Sequence, residues 1–128
     1  MDDFADWRNA VLAKFRKYPR LQVVGYAADG VEAVLRAKEL QPDLILLDIG
    51  LPKLNGIGAA REIRKISIES KIVFLSQQVD PDIVRAAIGA GGHGYVVKSD
   101  AEGDLFAAVQ AVMLGKKFVS RSLADHDI

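Results

Sequence analysis

Three polar side chains follow directly on short apolar segments of this 128-residue chain. Asp48, Ser76 and Lys98 come after the apolar residues 44–47, 72–75 and 95–97, respectively. If those segments are strands of one sheet, a carboxylate, a hydroxyl and an ammonium group meet at its edge. A lysine ammonium can hold a phosphoryl oxygen, and a carboxylate can bind a metal ion. Side chains of these types could therefore bind a metal ion and a phosphoryl group.

A second acidic group stands at the start of the chain. Asp2 and Asp3 come just before the first predicted helix, where the carboxyl end of a preceding strand would lie. With Asp48 they supply three hard oxygen donors, which suit Mg²⁺ because that ion takes few protein ligands and keeps several waters. Taken singly, each carboxylate can instead cap a helix or a turn. Likewise, Ser76 alone is compatible with an ordinary turn hydroxyl and Lys98 with a solvated charge.

The elements that would position these residues alternate along the chain. Residues 21–26, 44–47, 72–75 and 95–97 are short apolar segments that predict strands, and helical apolar spacing predicts helices around them. Strands that are apolar at every position are typical of a sheet covered on both faces. The alternation predicts parallel strands joined by helical crossovers, and hence an α/β doubly wound sheet. In such a sheet, ligands bind beyond the carboxyl ends of the strands.

The start of this pattern is unusual, because the first predicted helix begins almost at Met1 with no strand before it. Only four strands are predicted, and a missing inner strand would leave unpaired backbone groups at two edges. Either the chain is a fragment, its start is misassigned, or another segment or subunit fills the gap. If the chain lacks the first strand, we expect a non-standard assembly, such as an exchanged element or a strand supplied by a neighbouring molecule. At the other end, residues 1–117 are predicted to form one domain and residues 118–128 a tail or the start of a linker.

Composition excludes several classes of function. The chain contains no cysteine and two histidines, which excludes a disulfide scaffold, a thiolate site and a multi-histidine metal site. Seventeen basic residues balance seventeen acidic ones, with no Lys/Arg cluster, so we expect no direct binding of nucleic acid by this chain. No segment has the features of a signal peptide or a membrane span, so we expect a cytoplasmic protein.

The loop from Asp48 to Gly56 makes the sequence recognisable. Asp48 is followed by Pro52 four residues later and by Gly56 eight residues later, which resembles the phospho-acceptor loop of bacterial response-regulator receiver domains. The resemblance continues through residues 2–3, 75–76 and 89–98, and it looks most like receivers of the LuxR-type transcription regulators. It implies a flavodoxin-like receiver fold, here lacking most or all of the first strand.

The resemblance also implies a role for each polar residue. Asp48 would accept the phosphoryl group. Mg²⁺ would be bound by Asp3 directly, by Asp2 mainly through water, by Asp48, and by the main-chain carbonyl of Gly50. Because such a domain catalyses only its own phosphorylation and slow dephosphorylation, we do not expect an enzyme in the usual sense.

Three further residues would respond to the phosphoryl group. Lys98 would pair with it, Ser76 would hydrogen-bond to it, and Tyr95 would be the aromatic residue that turns inward when Ser76 moves. The donor would be a sensor histidine kinase, and the output a switch in dimerisation or partner binding, with a homodimer or a strand-exchanged oligomer as the assembly. The alternative is a pseudo-receiver that acts as an interaction module without phosphorylation. A phosphohydrolase is disfavoured, because such enzymes usually carry a second Asp where this chain has Gly50.

Overall fold

The structure is a computed structural model that describes residues 9, 13, 21–22, 30–48, 55–67, 69–77, 79–120 and 123, with backbone only for residues 21–22, 48 and 100–103. Five strands alternate with helices: β1 Leu21–Gln22, β2 Leu44–Asp48, β3 Lys71–Ser76, β4 Gly94–Val97 and β5 Phe118–Val119. The helices of this alternation are α1 Gly30–Leu40, α2 Gly56–Ile66, α3 Pro81–Gly89 and α4 Ala101–Met113, and a 3-10 turn occupies Lys98–Asp100. No helix in these ranges is long and apolar enough to cross a membrane.

The five strands form one parallel sheet in the order β1-β2-β3-β4-β5. The predicted α/β class and parallel strands are therefore confirmed. Strands β2, β3 and β4 are the centre of the sheet, and the apolar side chains of residues 44–47, 72–75 and 95–97 are all buried. Burial on both faces explains why these three segments are apolar at every position.

Helices cover both faces of the sheet. One apolar cluster joins α1, α2 and α3 to alternate residues of the strands, including Ile45, Leu47, Phe74 and Tyr95. The other joins α4 to the remaining residues of the strands, such as Leu46 and Val73. Because successive side chains of a strand point to opposite faces, each central strand supplies both cores.

Local sequence signals fix the ends of the helices. Asn55 caps α2, since its side-chain oxygen accepts a hydrogen bond from the Gly58 N–H at 2.9 Å. Asp80 caps α3 through the Asp82 N–H at 2.9 Å, and Pro81 occupies the first turn, where its missing N–H costs nothing. Gly115 lies two residues after α4 with a φ of 85°, a conformation that favours glycine and is common where a helix ends.

Two features of the sheet differ from the expectations. The structure adds β5 to the four predicted strands, so residues 118 and 119, which we assigned to the tail, continue the packed structure past residue 117. The described sheet also has no gap beside β1. A flavodoxin-like order of 2-1-3-4-5 places the first strand between the second and third, but here Leu21 pairs with Leu44 and Gln22 with Ile45. The expected strand from a neighbouring molecule therefore has no vacant position in the part of the sheet that the structure describes.

Candidate functional site

The register of the sheet brings three of the predicted site residues to one edge. Asp48 ends β2 opposite Leu75, and Ser76 is the next residue on β3. Ser76 in turn lies opposite Val97, and Lys98 is the next residue after β4. Since neighbouring strands are about 4.8 Å apart, the three positions occupy roughly 10 Å of the carboxyl edge. This is the edge at which open α/β sheets bind ligands.

The hydroxyl and the ammonium group of this edge differ in exposure. Ser76 is 3% exposed, because it is the last residue of a strand covered on both faces. Lys98 begins the 3-10 turn after β4 and is partly exposed. The edge therefore combines a hydroxyl fixed in the protein interior with a cation that solvent reaches.

Tyr95 lies two residues before the end of β4, in the core beneath α1, α2 and α3. Its side chain is fully buried, and its ring centroid is 6.2 Å from that of Phe74, its register partner on β3, with the rings tilted by 40°. The ring is therefore packed in the core, and its movement in response to Ser76 stays a prediction.

The remaining predicted metal ligands are not described. Asp2, Asp3 and Gly50 lie outside the described residues, and of Asp48 the backbone alone is placed. Within the described ranges no group of three or more His, Asp and Glu residues lies together. A carboxylate at the carboxyl edge is nonetheless the kind of donor that Mg²⁺ takes, since this ion is commonly held by one or two carboxylates and several waters. The donor set of residues 2, 3, 48 and 50 stays a prediction.

Two residues beside this edge were not found from the sequence. Ser120 is fully buried, and its hydroxyl oxygen accepts a hydrogen bond from the Val97 N–H at 2.9 Å. The same hydroxyl donates to Asp104 Oδ2 at 3.4 Å, and Asp104 is 5% exposed on α4. Only the short pair Phe118–Val119 before Ser120 hinted at a strand, and two residues are too few to show a period.

The glycine-rich turn before β4, residues 89–94, is structural, and only one of its glycines needs an unusual φ. Gly91 has φ 115°, and a Cβ there would lie 2.4 Å from Arg64 Cγ. Gly92 is required for space instead, since a Cβ would lie 2.6 Å from Phe74 Cε2. His93 follows, and its Nδ1 accepts a hydrogen bond from the Ile72 N–H at 3.1 Å. This turn lies at the amino end of β4, away from the candidate site.

The chain resembles known proteins over almost its whole length. Residues 1–110 match the family model of the response regulator receiver domain. The transcriptional regulatory protein LiaR of Bacillus subtilis is 32% identical over 124 residues, which cover 97% of this chain and 59% of that protein. The nitrate/nitrite response regulator protein NarL of Escherichia coli is 32% identical over 123 residues, which cover 96% of this chain and 57% of that protein. This chain thus spans less than two thirds of the length of both relatives.

Solved structures show the same fold. The isolated receiver (REC) domain of RcsB from Salmonella enterica serovar Typhimurium, determined in the presence of the phosphomimetic BeF3-, superimposes with a TM-score of 0.78 at 25% identity, covering 92% of this chain and 86% of that one. A LuxR-family two-component response regulator from Aurantimonas superimposes with a TM-score of 0.73 at 33% identity, covering 77% of this chain and 70% of that one. The family model matches residues 1–110, and the parallel sheet and its polar carboxyl edge agree with that match. The chain therefore belongs to the response regulator receiver domain family.

Proposed function

We propose that this receiver accepts a phosphoryl group on Asp48 from a sensor histidine kinase in the cytoplasm. A receiver domain is a signalling module of two-component systems rather than a classical enzyme, and its partner there is a sensor kinase. The observation that carries the proposal is the register of β2, β3 and β4, which aligns Asp48, Ser76 and Lys98 along one edge. A carboxylate nucleophile, a hydroxyl donor and a cation are the groups that phosphoryl transfer to an aspartate needs.

In the proposed step, a carboxylate oxygen of Asp48 forms a bond to phosphorus while the bond from phosphorus to the histidine nitrogen of the kinase breaks. The bonding electrons leave with the imidazole, and the product is an acyl phosphate on Asp48. Phosphoryl transfer has a loose transition state, so catalysis consists mainly of alignment and charge neutralisation. Lys98 would supply a fixed positive charge to the phosphoryl oxygens, and Ser76 a hydrogen bond.

Mg²⁺, when bound by Asp2, Asp3, Asp48 and the carbonyl of Gly50, would neutralise further charge on the phosphoryl oxygens. The residues of this chain would then hold the product. The hydroxyl of Ser76 would move towards the new phosphoryl oxygens, and the Tyr95 ring, which is already buried, would be held in the space beside it. A local change in charge would thus bias a two-state arrangement of the core, which would alter homodimerisation or partner binding.

A phosphorylation-independent interaction module is the second candidate. Its support is the direct pairing of β1 with β2. In a flavodoxin-like order, the strand between these two would carry the acidic pair to the edge. In the part of the sheet that the structure describes, no strand lies between β1 and β2 to carry that acidic pair to the edge. The chain would then retain the receiver surface without a working metal site.

Intact mass after incubation with acetyl phosphate and Mg²⁺ separates the two candidates. The phosphorylation hypothesis predicts a gain of one phosphoryl group, no gain in Asp48→Ala, and no gain when EDTA removes the metal. Asp82→Asn is the matched control, because Asp82 is an exposed carboxylate on α3 and its loss should leave the gain unchanged. A folded wild-type protein that gains no mass would instead favour the interaction module.

A further inference from the structure

The end of β4 is held by a side chain from the C-terminal strand. The main-chain hydrogen bonds between β4 and β5 run from Phe118 N–H to the His93 carbonyl at 3.1 Å and from Ser120 N–H to the Tyr95 carbonyl at 2.9 Å. At the next position the chain turns away, since the Ser120 carbonyl accepts from the Leu123 N–H at 2.9 Å. The Ser120 hydroxyl oxygen takes over as the acceptor for the Val97 N–H at 2.9 Å. Ser120 therefore holds the residue directly before Lys98.

The same hydroxyl is tied to a buried charge. Its proton is donated to Asp104 Oδ2 at 3.4 Å, and both residues are almost completely buried between the end of β4 and α4. A buried carboxylate is stable only where hydrogen-bond donors compensate for its lost hydration. Asp104 thus fixes the direction of the Ser120 hydroxyl, so that the lone pairs of its oxygen remain available to Val97.

We propose that Ser120, oriented by Asp104, is a positioning residue for Lys98. Three contacts support it: the Ser120 N–H on Tyr95, the Ser120 hydroxyl on Val97, and the carboxylate of Asp104 behind that hydroxyl. Together they hold the end of β4, which carries the buried Tyr95 and leads directly into Lys98. This inference rests on the proposed phosphorylation of Asp48, and it adds that the segment after α4 sets how well Lys98 meets the phosphoryl group.

The pairing of β5 with β4 and the position of Lys98 would influence each other. Any change that pulls β5 away from β4 would release Val97 and move Lys98. Conversely, a phosphoryl group that holds Lys98 in place would stabilise the pairing of β5, because coupling between two sites is reciprocal. Amide hydrogen exchange at Val97 should then become slower in the phosphorylated protein.

The test compares Ser120→Ala with a matched serine at the other end of the sheet. Ser70 is 2% exposed, and its hydroxyl donates to the Pro42 carbonyl and is hydrogen-bonded to Ser67. Ser70→Ala therefore removes a comparable buried hydroxyl without touching β4. Ser120→Thr keeps the hydroxyl and serves as the rescue variant.

The readouts are the rate of phosphorylation by acetyl phosphate and the amide spectra of the folded variants. We expect Ser120→Ala to react at least about tenfold more slowly, because a displacement of about 1 Å in a positioned group can cost about 100-fold. Ser70→Ala should react at the wild-type rate, and Ser120→Thr should recover most of it. The amide resonances of Val97 and Lys98 should shift in Ser120→Ala and stay in place in Ser70→Ala.

Each result decides the inference separately from the proposed function. Equal rates for Ser120→Ala and Ser70→Ala would overturn it, since both losses would then act through stability alone. Unchanged amide resonances at Val97 and Lys98 in Ser120→Ala would also overturn it, whether or not the protein is phosphorylated. If the wild-type protein takes no phosphoryl group, the proposed function is contradicted. If the resonances of Val97 and Lys98 nevertheless shift in Ser120→Ala, Ser120 still positions Lys98.

Discussion

The two ends of the central strands are built differently. The carboxyl end carries a carboxylate, a hydroxyl and an ammonium group on three neighbouring strands, at Asp48, Ser76 and Lys98. At the amino end, side chains are hydrogen-bonded to main-chain groups far away in the sequence, whereas the contact of this kind at the carboxyl end, between Ser120 and Val97, holds the strand that leads into Lys98. Gln41 Nε2 donates to the Ile66 carbonyl at 2.9 Å across 25 residues of chain, and the amino end of β3 is tied in the same way by Ser70 and His93.

This difference assigns separate tasks to the two ends. Hydrogen bonds between distant loops fix how the helices join the sheet, and the bond from Ser70 also satisfies a buried carbonyl, that of Pro42. The Gln41 contact connects the end of α1 to the end of α2, and it does so with a φ of 44° at Gln41. Such strain persists only where surrounding contacts stabilise it. We infer that the amino end stabilises the fold and leaves the carboxyl end to carry polar groups for chemistry.

Lys98→Met should distinguish the two ends most clearly, because it should slow phosphorylation strongly and change stability little. Methionine keeps the length of the side chain and removes the charge that the proposed mechanism places on the phosphoryl oxygens. The rate of phosphorylation by acetyl phosphate should fall by about 100-fold, the usual effect of losing one electrostatic contact to a transition state. The free energy of unfolding should change by less than about 0.5 kcal/mol, because Lys98 is partly exposed.

Lys116→Met is the control for Lys98→Met. Lys116 is an exposed lysine after α4, so its loss should alter neither quantity. Urea unfolding and the time course of intact mass measure both effects. If Lys98→Met destabilises the protein and leaves the phosphorylation rate unchanged, the assignment of tasks to the two ends is wrong.

Gly92→Ala should have the next largest effect, on stability. The added Cβ would lie 2.6 Å from Phe74 Cε2 and 3.0 Å from the Ala87 carbonyl oxygen, so the backbone or the ring must move. Overpacking of this kind costs about 1–3 kcal/mol. Gly89→Ala is the matched control, because nothing lies within 4 Å of its Cβ position and alanine is the better helix former.

Urea unfolding of the two glycine variants measures the difference. We expect Gly92→Ala to be less stable than the wild type, and Gly89→Ala to be equal to it or more stable. Phosphorylation of the folded fraction should be unchanged in both variants. Equal stability of the two variants would contradict the proposed tight packing between Gly92 and Phe74.

The sequence predicts the central sheet well, because its signals there are local. Continuous apolar segments mark β2, β3 and β4, and the polar residue after each segment marks the site. The two-residue strand β5 escapes prediction, since nothing in Phe118–Val119 itself shows that β4 lies beside it. The same holds for Ser120, whose partners Val97 and Asp104 are 23 and 16 residues away. Contacts of this kind exist only once the sheet has formed.

The structural roles of the residues in the glycine-rich turn could not be predicted from the sequence either. Gly91 and Gly92 both suggest a turn, but the sequence does not distinguish a residue that needs a positive φ from one that needs empty space beside Phe74. His93 lies in this turn, directly before β4. Its hydrogen bond with Ile72 depends on the approach of β3 to the start of β4, which no pattern within residues 89–94 encodes.

The smallest predicted effect is a pH dependence of stability at the amino end. Burial, together with the positive charges of Lys71, Arg64 and Lys117, lowers the pKa of His93 to about 4. The neutral imidazole is also required for its contact, because Nδ1 accepts the Ile72 N–H. In the unfolded chain the histidine pKa is about 6.5. Between about pH 6.5 and pH 4 the unfolded state therefore binds more protons, so this contribution to stability is present above pH 6.5 and is lost as the pH falls.

His93→Asn tests this linkage, because the asparagine side-chain oxygen can accept the same hydrogen bond and does not titrate. Urea unfolding of both proteins at several pH values between 7 and 4 gives two curves, and their difference isolates His93 from the carboxylates that titrate in the same range. We expect the wild type to lose more stability than His93→Asn over this interval. Parallel curves would mean that the pKa of His93 is the same in the folded protein as in the unfolded chain. The contact with Ile72 would then contribute nothing that depends on pH, and the amino end would be stabilised by its other hydrogen bonds.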